Sequence, residues 1–189
     1  STSGYSFTSN FFSDMGAYQA RNGEPNYLSM IFFSISLILV GGTFALYYLV
    51  LPKVFGNNNR NYYLSWIGTI FALGGSICLI GTGLTPTDLV FDLHVFFANN
   101  IFHCFLITSF FYSIVIFDTD ILEKRYAFGY LVFFISILLY VGVLQFGPSV
   151  STGKSELIFQ VVAQKLIVLV FFLTVFHQTF GLSKLQIDH

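Results

Sequence analysis

The chain has 189 residues, 55% of them hydrophobic and only 9% charged, against about 25% charged in an ordinary soluble domain. That balance rules out a soluble globular protein. The formal net charge of −1 argues against a nucleic-acid partner, because the basic surface that such a partner needs is missing.

Residues 1–27 contain Tyr5, Phe7, Phe11, Phe12 and Tyr18 and read as an extracytoplasmic segment lying on the membrane interface. Within it, Ser13-Asp14 followed by Gly16 makes a turn or the start of a short interfacial helix. The segment has neither Met at its start nor a basic stretch leading into an apolar one, so no signal peptide is read. The expectation is that something upstream has been removed or that the numbering begins inside a longer chain. Five apolar blocks follow, at about 28–51, 61–84, 91–117, 126–146 and 157–182. Each is long enough to cross a hydrocarbon core of about 30 Å at about 1.5 Å per residue. The expected fold is therefore all-α: one polytopic transmembrane helical bundle over residues 28–182, with a cytoplasmic tail at 183–189. The breaks are turn-rich: Pro52 to Asn61, Leu84 to Asp88, the charged cluster Asp118 to Arg125, and Gly147 to Glu156.

Basic residues set the orientation. Lys53, Arg60, Lys124, Arg125 and Lys184 fall on one side of the membrane, and only Arg21 and Lys154 on the other. The richer side is expected to be cytoplasmic, placing residues 1–27 outside and the C-terminus inside.

Only two formally charged residues, Asp92 and Lys165, interrupt the apolar blocks. Each costs at least about 2.5–3.5 kcal/mol inside a membrane and calls for a partner. Thr85-Pro86-Thr87-Asp88 has the form of a helix start, with Thr85 as cap, Pro86 in the first turn and Asp88 against the positive helix end. In the third block Asp92, Asn99 and His103 fall within about 40° of one another at helical spacing, with Asn100 beside them, and His94 points the other way. Such a stripe faces protein or water rather than lipid. It serves either interhelical hydrogen bonds or a polar cavity for a headgroup, an ion or protons. The fifth block carries Gln160, Gln164 and Lys165, then His177 and Gln178. Snorkelling brings the Lys165 ammonium near the depth of Asp92 and His94, so an Asp92–Lys165 or Asp88–Lys165 ion pair is expected. His103 lies about 18 Å and His177 about 30 Å from the outer edge, so they do not match as haem ligands. No cofactor is expected, and the scattered histidines form no metal triad. Cys78 and Cys104 read as small packing residues, and Gly41-Gly42, Gly68, Gly74-Gly75 and Gly81 as points of close helix approach.

Phe12-Ser13-Asp14-Met15-Gly16-Ala17, Asn26, Gly81, Thr85-Pro86-Thr87-Asp88, His94 and Gln164-Lys165 together resemble a prokaryotic multipass family, domain of unknown function 998. That family is distantly similar to the DRAM-like membrane proteins. The resemblance implies six spans in the native protein, one of them ahead of this chain, a prokaryotic plasma membrane, and a lipid-linked role by loose analogy. Three functions follow from the residues. The first is lipid binding in an outer-leaflet pocket built from Asp14, Asp88, Asp92, His94, Asn99, His103, Gln164 and Lys165. The second is an accessory subunit among other membrane subunits, and the third, ranked last, is a small transporter. No recognised catalytic set is present, which weighs against an enzyme.

Overall fold

The computed structural model describes residues 4–183; the 184–189 tail, including Lys184, lies outside the described residues. Lipid offers the backbone no hydrogen-bond partner, so an apolar chain of this kind must satisfy its N–H and C=O groups within each span, and helices do so. Five helices result: α1 (Tyr27–Val50), α2 (Asn59–Leu84), α3 (Phe91–Asp118), α4 (Lys124–Phe146) and α5 (Lys154–Leu182). All five are long and apolar enough to cross a membrane. Short 3₁₀ helices occupy Phe12–Gly16 and Leu51–Phe55. There is no strand among the described residues, only an isolated bridge between Gln19 and Pro25.

Four of the helices extend one to three residues beyond the apolar blocks, α4 and α5 by beginning on Lys124 and Lys154, while α1 has the expected length. Thr85 does not start the third helix. Its hydroxyl donates to Gly81 O of α2 at 2.7 Å, so it closes the helix before the turn. Residues 86–90 form that turn, and α3 begins at Phe91.

Consecutive helices pack against one another from α1 to α5. The α2–α3 seam is built on glycines. A Cβ at Gly68, Gly75 or Gly81 would meet the rings of Tyr112, Phe105 or Phe97 respectively, at 2.6–3.0 Å. Each aromatic side chain of α3 thus sits in a notch of α2, as expected for close approach in a membrane. Cys78 and Cys104 are free thiols facing one another across this seam. The core behind it is aromatic: Phe105, Phe44, Phe133 and Phe171 interlock edge to face or tilted, with centroids 5.1–5.9 Å apart. A buried polar link crosses it, in which the Tyr112 hydroxyl donates to Thr69 Oγ1 (2.7 Å) and Thr69 donates to Tyr48 O (3.0 Å).

Candidate functional site

The polar residues at one end of the bundle are organised by the N-terminal segment, which folds back over the start of α1, the turn after α2 and the Gln164–Lys165 stretch of α5. This strap is shaped locally. Residues 18–26 make a tight hairpin, in which Gly23 N–H donates to Ala20 O (2.8 Å) and Asn26 N–H to Tyr18 O (3.0 Å). Gly23 takes φ +85° at its tip, a backbone conformation that glycine adopts without steric cost. The 3₁₀ helix ahead of it is held on α1 by Ser29 and Asn26, which donate to Met15 O at 2.9 and 3.2 Å; Asn26 also donates to Ala17 O at 2.9 Å. Gly16 lies flat on the Phe33 ring of α1, leaving no room for a Cβ.

Asp14 is the internal tie of the strap. One carboxylate oxygen accepts from Asn10 Nδ2 (2.7 Å), Phe11 N–H (3.1 Å) and Arg21 Nη2 (2.7 Å). Asp88 is the tie to the 86–90 turn, its two oxygens accepting the N–H groups of Tyr18 and Gln19, both at 2.8 Å. Gln164 Oε1 accepts Phe12 N–H at 3.0 Å.

Lys165 lies under this strap with only 5% of its surface exposed. Its ammonium donates to the Tyr5 hydroxyl and to Asn10 O (2.8 Å). Three rings surround it, with centroids 3.9 Å (Phe12), 5.0 Å (Tyr5) and 5.1 Å (Phe7) away, within the range of cation–π attraction. The Tyr5 hydroxyl donates in turn to Asn10 O and Phe11 O at 3.1 and 3.3 Å. Burial first, and the nearby Asp14 charge second, push the Tyr5 pKa above its usual 10, so this hydroxyl remains a neutral donor.

The expected ion pairs are absent among the described residues: Lys165 pairs with neither Asp88 nor Asp92. The reason is that Asp88 is committed to the strap backbone, and Asp92 is exposed in the first turn of α3, where the helix dipole favours it. The stripe resolves within its own helix. His103 Nδ1 donates to Asn99 O (2.9 Å) and Asn100 to Phe96 O (2.8 Å), and Asn99 and His103 are only half-buried. The buried histidine is His94, outside the stripe. Its Nδ1 lies 2.6 Å from Thr85 O and therefore carries the proton, and its buried Nε2 has no partner. Of the eight candidates, the structure gathers Asp14, Gln164, Lys165 and Asp88 around the strap. It leaves Asp92, His94, Asn99 and His103 on α3.

The groups that meet Lys165 include one missed in the sequence, the Asn10 carbonyl, which carries no side-chain signal. The aromatic cluster of residues 5–12 was the visible cue. Among the described residues, no group of three or more His, Cys, Asp or Glu side chains is placed to hold a metal ion.

Residues 10–182 match the family model described as the Frag1/DRAM/Sfk1/Cwh43P N-terminal domain. The match spans nearly the whole bundle and bears out the DRAM-like side of the resemblance; the chain belongs to this family. No curated protein matches, and no solved structure matches.

Proposed function

Taking membership of that membrane-protein family as the premise, we propose that this chain is a lipid-interacting integral membrane protein whose polar pocket at the strap end holds an anionic headgroup on Lys165. One observation carries the reading. Lys165 is a buried ammonium without a carboxylate, and every group that solvates it comes from residues 5–12, a segment outside the bundle. A buried charge needs such partners. When the strap lifts, a phosphate oxygen supplies what the Asn10 carbonyl and the three rings supply when it is closed. The excess of Lys and Arg at the opposite end supports an extracytoplasmic position for the strap. The likeness of Ser13–Ala17 and Pro86–His94 to domain of unknown function 998 supports a prokaryotic plasma membrane.

Native mass spectrometry after extraction in mild detergent tests this. A Tyr5→Ala/Phe7→Ala chain is expected to retain phosphatidylglycerol about tenfold better than the wild type. Adding Lys165→Gln should abolish the gain, and phosphatidylcholine should show none. Equal retention by all three proteins refutes the reading.

A second reading, an accessory subunit of a larger membrane complex, draws on α1. Only 6% of its most apolar 18-residue window is buried in the bundle, which leaves a broad face for a neighbouring helix. Purification in mild detergent with identification of co-migrating proteins tests it, and a clean monomer counts against it.

A further inference from the structure

At the opposite end of the bundle, α1, α4 and α5 enclose a cavity of about 130 Å³, close to the roughly 150 Å³ that takes a benzene-sized group. Its lining is graded along the membrane normal. Gln178, Tyr47 and Tyr130 lie about 5–9 Å from the helix ends by the helical rise, Thr43 and Thr174 about 10–12 Å, and Phe133 and Phe171 about 14–16 Å. On α5 the order from the helix end is Gln178, Thr174, Phe171, and on α4 Tyr130 precedes Phe133, so along these two helices the lining grows less polar toward the bilayer centre, as a lipid in that leaflet does; on α1 Phe44 lies between Tyr47 and Thr43.

The polar groups leave bonding capacity unused. The hydroxyls of Tyr47 and Tyr48 both hydrogen-bond that of Tyr130, so the three phenols partly satisfy one another, and the unused capacity lies in Gln178, Thr43 and Thr174. Gln178 spends its Nε2 on Tyr126 O (2.7 Å), which leaves its Oε1 as an acceptor. Most Ser and Thr residues in these helices donate to a carbonyl of their own helix, as Ser76, Thr82 and Ser136 do. Thr43 and Thr174 make no such bond among the described residues, although Thr174 is only 8% exposed. Among the described residues none of these polar atoms is both sealed from the surroundings and unpaired, so they stand open to a group bound in the cavity. No lining residue is charged, so the complement is neutral. Donors and acceptors are mixed, so the complement both donates and accepts. Access is lateral: apart from the Phe44–Phe171 ring contact (5.1 Å), α1 and α5 are not a closely packed helix pair, and Thr179 in the cavity lining is exposed.

We infer that this cavity is a binding site for the free hydroxyl head of a neutral membrane lipid, with the apolar part of the molecule running inward over Phe133 and Phe171. The site is separate from Lys165, and the inference does not rest on the strap reading. A diglyceride and a sterol share the required chemistry.

The full chain reconstituted in nanodiscs is photolabelled with a diazirine diacylglycerol and a diazirine sterol, each beside its O-methyl ether. The expected result is labelling concentrated on peptides around Tyr47, Tyr130 and Thr174. The alcohol of the preferred lipid should label about fivefold to tenfold more than its ether, as the loss of one or two hydrogen bonds implies. Which of the two probes wins identifies the source. Tyr130→Phe should lower alcohol labelling towards the ether level, and Thr174→Phe, which fills the cavity, should abolish it. Equal labelling of the wild type by alcohol and ether, or labels spread evenly over the lipid-facing helices, overturns the inference without any variant.

Discussion

Asp14→Ala isolates what holds the strap down. The substitution removes a carboxylate oxygen that accepts from Asn10 Nδ2, Phe11 N–H and Arg21. Two of these are hydrogen bonds to a charged acceptor, about 1.5 kcal/mol each at the low end of the range, and water replaces part of that at a half-buried site. The Arg21 pair is half exposed and adds about 0.5 kcal/mol or less. The strap should therefore lose about 2–3 kcal/mol of docking free energy, a roughly 30- to 150-fold rise in its open population. The bundle itself should be unaffected, because its helices pack without Asp14. Hydrogen–deuterium exchange resolves the two. The Phe12 amide, bonded to Gln164 rather than to Asp14, should exchange faster by that factor, and amine reagents should begin to modify Lys165. Unchanged exchange at Phe12 in a folded variant refutes the idea that Asp14 ties the strap together.

Asp92→Asn should leave strap exchange and thermal stability within about 0.5 kcal/mol of wild type, since Asp92 is exposed and makes no ion pair among the described residues; loosening of the strap contradicts this. Gly75→Ala should destabilise by about 1–3 kcal/mol, because its Cβ meets the buried Phe105 ring at 2.8 Å. Gly42→Ala, where nothing lies within 4 Å, should be neutral or stabilising by up to about 1 kcal/mol; thermal unfolding in detergent should give these opposite signs. Thr69→Val leaves the buried Tyr112 hydroxyl without its acceptor and should cost about 1–3 kcal/mol. Adding Tyr112→Phe should recover part of that loss, and strict additivity in the double-mutant cycle would show that the 2.7 Å contact carries no coupling.

The helices were legible because lipid leaves the backbone one solution, and their ends were misplaced where charge breaks the apolar pattern. Lys124 and Lys154 already belong to their helices, while Thr85 belongs to the helix before it. Lys165 was legible as a cost, but its partners were not. The expectation looked for a carboxylate and found Asp88 and Asp92 at the right depth, whereas the ammonium is held by rings and a carbonyl far away in sequence. Nothing local announces a backbone acceptor 155 positions distant. The helical-wheel stripe on α3 was legible as a polar face, but its bonding was not. Asn100 and His103 bond back to carbonyls of their own helix, an option that angular position cannot reveal. His94, on the other face, is the residue the fold buries.

The enclosure of Lys165 has a consequence for biogenesis. Tyr5 and Asn10 leave the ribosome long before α5 does, yet they complete their contacts only once that helix is in place. Until then residues 5–12 lack the cation they close over, although the rest of the strap can already dock on α1 and the 86–90 turn. Seating of residues 5–12 therefore reports that the last helix has been threaded correctly, and a molecule stalled one span short would be marked by a loose, protease-accessible stretch at residues 5–12.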